Sequence, residues 1–246
     1  SMSETSTKVF ILEVMGRHAG WLAASAGVIK KISKDPPHLI LFPEIAFKEK
    51  VFLKRVKEIT DQNGYCVIVA SEGIKNNKNV FLSDSGLKDS FGHAQLGGVA
   101  PVLSELITNK LHYKVHWAVS DYLQRAARHI ASKIDVDQAY NLGKKAITYA
   151  KNDVTDIMLT IKSKSSKGKY EWSINHTSLD KVANIEKMLP NNFIKKNGYE
   201  ITNKCKEYIQ NLIAGEDYPS YECGFPRYAK LKCKTIKKRL SPYKLK

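Results

Sequence analysis

The stretch Lys8–Leu22, KVFILEVMGRHAGWL, limits the possible folds more than any other part of the chain. Val9–Val14 is an apolar, β-branched run, the composition of a strand buried on both faces. Met15-Gly16-Arg17-His18 turns the chain, and the apolar spacing that follows predicts a helix over Ala19–Ile32. A strand that passes through a glycine turn into a helix is where open α/β sheets bind ligands, at the carboxyl ends of their strands. Gly16 permits close approach of a ligand to the backbone, and Arg17 offers a fork of donors suited to phosphate or sugar oxygens. The plain alternative is a glycine that ends a strand and an arginine in solvent. On these residues alone both stand.

The alternation continues downstream. Pro36-Pro37 stops any helix, His38–Phe42 reads as a short buried strand, and Lys48–Gln62 as an amphipathic helix burying Val51, Phe52, Val56 and Ile59. Asn63-Gly64 is its expected carboxyl cap, and Tyr65–Ala70 the next buried strand. Gly73–His93 reads as a long polar excursion, after which Pro101 sits in the first turn of a helix reaching Leu111. Tyr113–Val119 is a fourth strand. Helices are predicted over Tyr122–Lys133 and Val136–Lys151, the second capped by Asp135. A hairpin pairs Val154–Ile161 with Tyr170–Ile174 across SKSSKGK, and further helices are predicted near Leu179–Met188 and Ile201–Ile213. The pattern is α/β: a parallel-rich sheet sandwiched by helices in three layers.

Charge narrows the partners. The 246 residues carry a net charge of +16, and the segment from Ala229 to Lys246 holds eight basic residues and no acid. Lysine greatly outnumbers arginine, and the tail has little aromatic interleaving, so the chain lacks the bidentate and stacking groups of a specific nucleic-acid reader. No run of 18 apolar residues and no secretory leader pattern is present, and Cys66, Cys205, Cys223 and Cys233 form no CxxC pair. These features favour reduced thiols and a cytoplasmic protein with no membrane or nucleic-acid partner. Cys66, inside an apolar run, reads as a small buried residue.

Three further residues could carry chemistry. Glu72 follows an apolar strand, which would set its carboxylate at the same sheet edge as Arg17, able to accept from sugar hydroxyls. Tyr122 and Arg125 are spaced i, i+3 at the start of a predicted helix, where free N–H groups and the helix dipole would favour a phosphate. A strand-end charge and a solvated helix face are the plain alternatives.

VMGRHAGWLA, LFPE at Leu41–Glu44, ASEG at Ala70–Gly73 and DYLQRAARHIASK at Asp121–Lys133 resemble the phosphofructokinases, the pyrophosphate-dependent branch more than the ATP-dependent one. The resemblance implies that Met15, Gly16 and Arg17 grip fructose 6-phosphate, that Glu72 contacts the fructose, and that Tyr122, Gln124 and Arg125 serve its 6-phosphate. Lys8 and His116 line up with residues that reach a neighbouring subunit's sugar phosphate, which implies a homo-oligomer. Asp121 stands where the family usually has glycine, so the local backbone is open to question.

The family's glycine-rich donor loop, its PGxN segment and its acidic motif with the catalytic Asp have no counterpart here. The resemblance places all three ahead of the MGR segment, so the catalytic Asp is expected upstream of Ser1, and no catalytic or metal residue is expected in this chain. It resembles the carboxyl-terminal portion of a longer enzyme with an incomplete donor lobe. The expected division is an acceptor lobe over residues 1–135, carboxyl-terminal helices and a hairpin over 136–228 that complete the family fold, and a basic tail over 229–246, the fold as a whole carrying a carboxyl-terminal extension. The implied function is transfer of a phosphoryl group from pyrophosphate to the 1-hydroxyl of fructose 6-phosphate, with Mg²⁺ bound mainly by the part not present. An ATP-dependent enzyme, or a non-catalytic chain that only binds sugar phosphate, are the alternatives.

Overall fold

Four apolar runs pair side by side, all in the same direction. They are β1 (Val9–Val14), β2 (Leu39–Leu41), β3 (Cys66–Ser71) and, after the short pair β4 (Asp84–Lys88) and β5 (Ala94–Leu96), β6 (Val115–Val119). The order is β2-β3-β1-β6, with Val9 opposite Cys66 and Val115, and Leu39 opposite Ile68. The structure is a computed structural model that describes residues 4–241 apart from 33, 89–93, 97, 167–168 and 236. Ser1, the position ahead of which the catalytic Asp is expected, lies outside the described residues.

Side chains alternate across a strand, so each strand feeds two layers. Val9, Ile11, Leu39, Leu41, Cys66, Ile68 and Ala70 face one side. With the helix Trp21–Ala26 as α1, they meet there Phe52, Val56 and Ile59 of α2 (Glu49–Asn63) and Val99, Leu103 and Ile107 of α3 (Val99–Leu111). Val14, Ile40, Phe42 and Val69 face the other, against Ala23 and Ala24 of α1 (Trp21–Ala26). That second layer is completed from far along the chain, by Leu189, Phe193 and Ile194, and by Cys205 and Ile209 of the helix Asn203–Leu212. Complete burial of a side chain such as Ile68 or Phe52 contributes about 1.5–3 kcal/mol. The three-layer α/β fold is the expected one. The buried Cys66 thiol is pushed up to about 12 by loss of solvent.

Several elements differ from expectation. The first helix ends at Ala26 and tightens into a 3-10 turn over Gly27–Ile29. Val51 is exposed, whereas its three expected companions are buried. The excursion after Gly73 includes β4, which pairs antiparallel with β5 just beyond it, and residues 89–93 lie outside those described. The helix expected over Tyr122–Lys133 is four residues of α4 (Leu123–Ala126), a 3-10 turn over Arg128–Ile130 and a bridge strand β7 (Ala131–Ser132). Tertiary contacts override the helical composition: β7 pairs antiparallel with Glu216–Asp217, and Arg128 reaches the Asp217 backbone and carboxylate at 2.6 Å each.

α5 (Lys133–Lys151) therefore starts earlier than expected, and Ser132, not Asp135, is its cap, accepting from the Asp135 N–H. β8 (Ile157–Ser166) and β9 (Lys169–Ser178) extend the hairpin well into the stretch expected as its turn. The helix expected near Leu179–Met188 is one 3-10 turn, Leu179–Lys181. The helix Asn203–Leu212, α6, and the left-handed Gly64 cap of α2 are as expected. Described residues after Ala229 hold no regular structure. Among the described residues no helix is long and apolar enough to cross a membrane.

Candidate functional site

Because the strands run parallel, their carboxyl ends share one edge, and four connections leave from it. β1 leads into Met15-Gly16-Arg17, β2 into Phe42-Pro43-Glu44, β3 into Glu72-Gly73, and β6 into Ser120–Arg125. The connections are bolted to one another.

The tightest joint links Ser71-Glu72-Gly73 to Gly16-Arg17. Gly16 adopts φ of +142°, a region in which L side chains are strained, and a Cβ there would lie 2.6 Å from Ser71 Oγ. The Ser71 hydroxyl donates to the Gly16 carbonyl at 2.6 Å, and the Gly16 N–H donates to Glu72 Oε1 at 3.1 Å. Gly73 passes so close that a Cβ on it would lie 1.7 Å from the Arg17 carbonyl oxygen. One Glu72 oxygen is thus committed to the backbone of the turn.

The second joint links β1 to the segment after β6. The Met15 N–H donates to Gln124 Oε1 at 3.3 Å. Gln124 precedes Arg125, whose guanidinium carbon lies 5.3 Å from the centre of the Tyr122 ring. The pair at i, i+3 therefore meets as expected, and both side chains are exposed. The expected dipole contribution is not supported, because α4 has only four residues and Tyr122 itself occupies the capping position. Asp121 has φ of +39°, a left-handed conformation that explains why glycine suits this position.

Met15, Gly16, Arg17, Glu72 and Gln124 are brought to one edge, Tyr122 and Arg125 flank it, and Arg17 is half-buried there. Lys8 and His116 are not brought to it. They lie toward the amino ends of β1 and β6, Lys8 roughly 20 Å and His116 roughly 10 Å from the carboxyl ends of their strands, and His116 is exposed.

Two carboxylates at this edge carry no role in the sequence reading, Glu13 because it is not singled out there and Glu44 because it enters only as part of LFPE. Glu13, in β1, is only 4% exposed. Its Oε2 accepts the Ala100 N–H at 2.8 Å, filling the start of α3, which has no side-chain cap of its own. Burial raises its pKa above the usual value, and Glu72 and Asp121 push the same way, while the Ala100 and Val99 N–H groups oppose them. Glu44 is the other, and its Oε1 accepts from two backbone amides. A lone acid inside the apolar run VFILEV is the signal that could have found Glu13.

A depression of about 330 Å³ lies beside the turn, lined by His18, Pro43, Lys75, Asn79, Glu186 and Met188. A second, lysine-rich hollow is lined by Gly27, Lys30 and Lys31 on one side and by Thr202, Asn203 and Lys206 at the start of α6 on the other, with Glu200 paired to Lys195 at 2.7 Å inside it. Among the described residues no group of three or more His, Cys, Asp or Glu could hold a metal ion.

The model of the phosphofructokinase family matches residues 1–150. The pyrophosphate–fructose 6-phosphate 1-phosphotransferase of Halomonas elongata is 51% identical over 245 residues, covering 100% of this chain and 58% of its own length. That of Methylococcus capsulatus is 48% identical, covering 98% of this chain and 57% of its own. The crystal structure of the pyrophosphate-dependent phosphofructokinase from Marinobacter aquaeolei superposes with a TM-score of 0.85 at 48% identity, covering 98% of this chain and 56% of that one. The chain thus spans a little over half the length of these relatives.

Proposed function

The chain belongs to the phosphofructokinase family, and on that premise we propose that it supplies the fructose 6-phosphate site of a phosphotransferase that uses pyrophosphate as donor. The product would be fructose 1,6-bisphosphate, a glycolytic intermediate. Pyrophosphate is favoured over ATP by the two relatives near 50% identity, both named for that donor.

The observation that carries the reading is the convergence of three chain segments: Gly16 N–H on Glu72, and Met15 N–H on Gln124. It gathers Arg17, Glu72, Tyr122 and Arg125 at one edge. In this reading the Arg17 and Arg125 guanidinium groups and the Tyr122 hydroxyl receive the 6-phosphate, whose two negative charges each cation offsets. The Glu72 oxygen not used by Gly16 accepts from a sugar hydroxyl. These groups bind and orient the acceptor. The proton of the 1-hydroxyl and the donor phosphates fall to residues outside this chain, among them the catalytic Asp that this reading sets upstream of Ser1.

Mg²⁺, when bound, would neutralise charge on the transferring phosphate, but the described residues offer it no donor set and no step here runs through it. The acceptor lobe would be residues 1–135, with Leu189–Leu212 completing its second layer. Lys8 and His116 would serve the site of a second copy in a homo-oligomer. Four free cysteines accord with the cytoplasmic setting this reading carries.

Calorimetric titration of fructose 6-phosphate into the 246-residue chain tests the site. Arg125→Ala or Arg17→Ala should weaken binding roughly 10- to 100-fold, the worth of charge-assisted hydrogen bonds. Equal affinity in the parent and both variants, or no binding by the parent, would overturn the assignment.

A further inference from the structure

The turn that carries Arg17 is held from outside as well as from within. Residues 186–193, about 170 positions along, lie across it. His18 Nδ1 is 2.5 Å from Glu186 Oε1, and the Trp21 indole N–H donates to the Lys187 carbonyl at 2.7 Å. Phe193 meets the Trp21 ring edge-on at 6.0 Å, and Leu189 is 2% exposed in the layer beneath.

One further atom joins this strap to the segment that follows the turn. Glu44 Oε1 accepts the Gly20 N–H at 2.9 Å and the Leu189 N–H at 2.9 Å. Gly20 opens α1, which has no side-chain cap, so the carboxylate satisfies a backbone donor that the helix leaves unpaired. The fit is close: a Cβ on Gly20 would lie 2.8 Å from Glu44 Oε2 and 3.1 Å from Phe42 and Pro43. Oε2 is buried and has no hydrogen-bond partner among the described residues. A buried, unpaired carboxylate oxygen is costly, and nothing about a strand end demands one. Its sister oxygen, bonded to both segments, gives it a reason to be there.

We propose that Glu44 is a positioning residue for the Arg17 turn, fixing its direction by tying the start of α1 to the 186–189 strap. The proposal rests on the functional reading only for its consequence, which is sugar-phosphate affinity. Its cause, the rigidity of residues 15–22, stands apart from that reading. Glu44 Oε1 bonds backbone amides and Oε2 bonds none of the described residues, so the effect on Arg17 travels through the backbone. A misplacement of about 1 Å at a binding group is enough to cost large factors in affinity or rate.

Hydrogen–deuterium exchange read by mass spectrometry, with fructose 6-phosphate titration, tests this on the 246-residue chain. In Glu44→Ala the amides of residues 15–22 should exchange at least ten-fold faster while those of α2 keep their protection, and affinity should fall about ten-fold. Glu44→Gln, which retains an acceptor oxygen, should restore both to within about three-fold. A loss of global stability alone would accelerate α2 as well and would not be rescued selectively at residues 15–22.

Unchanged protection of residues 15–22 in a folded Glu44→Ala would overturn the proposal, as would unaltered affinity where the parent binds. If the parent does not bind but the exchange pattern holds, the functional reading fails and the positioning role stands. Should Glu44→Ala not fold, Glu44→Asp decides. Its shorter side chain draws the oxygen back from both amides, so it should reproduce the local acceleration, and parental exchange in Glu44→Asp would refute the role.

Discussion

Gly73→Ala is the most incisive change the site allows. An alanine Cβ at this position would stand 1.7 Å from the Arg17 carbonyl oxygen, 2.3 Å from its carbon and 2.7 Å from the Arg17 Cα. All three are backbone atoms, so no rotamer relieves the clash. Contact at van der Waals distance requires about 3.4 Å, so one backbone must retreat by more than an ångström. Three bonds resist this: Ser71 to Gly16, Gly16 to Glu72, and Glu72 N–H to the Val14 carbonyl at 3.0 Å.

Overpacking of this kind costs about 1–3 kcal/mol. The accompanying shift of Arg17 should weaken fructose 6-phosphate binding by a factor on the order of 100. The matched control is Gly143→Ala in α5, where an added Cβ meets nothing within 4 Å. It should stabilise the chain by about 0.5–1 kcal/mol through helix propensity alone. Urea denaturation followed by circular dichroism gives the stabilities, and calorimetry the affinities. If Gly73→Ala matches the parent in both, the close passage of Gly73 over Arg17 does not hold the turn.

Glu13 gives a pH-dependent test. Its folded-state pKa lies above the usual 4.5, so the folded chain binds that proton more tightly than the unfolded one. Its contribution is present below about pH 4.5 and is lost as pH rises through the folded value. Glu13→Gln keeps an acceptor for the Ala100 N–H, so it should be more stable than the parent in urea at pH 7, with the gain shrinking as pH falls toward 4.5. A gain independent of pH would count against burial as the cause. Asp121→Gly should relax a left-handed residue and stabilise the chain by about 0.5–1 kcal/mol. It also removes an acid next to the proposed phosphate contacts, so the titration should show tighter sugar-phosphate binding. Weaker binding would mean that Asp121 assists.

The strands were legible because a sheet buried on both faces needs continuous apolar runs, and VFILEV, LIL and CVIVAS can do little else. Gly16 and Glu72 were legible for a related reason: parallel strands deliver whatever follows them to one edge. RAARHIASK misled because its composition is helical, while the chain there must pair with Glu216–Asp217 more than 80 positions away. No local pattern encodes that demand. Asp135 looked like a cap, but Ser132 becomes one only because β7 ends there. Glu44 was legible as part of LFPE and not as a joint, since its second partner, Leu189, is invisible until the 186–193 strap is in place. Met15 and Gln124 came from resemblance, and their direct bond gives that pairing a physical basis.

The late origin of the sheet's second layer has a consequence for how the chain is made. All four parallel strands have left the ribosome once Val119 has emerged, yet Val14, Ile40, Phe42 and Val69, by then covered only in part by Ala23, Ala24 and Val28, acquire the rest of their cover with the segment from Leu189 to Ile209. At about 10 residues per second that interval is on the order of ten seconds. Through it one apolar flank of the nascent sheet is only partly shielded, so association through that face is the hazard that synthesis of this chain must outrun.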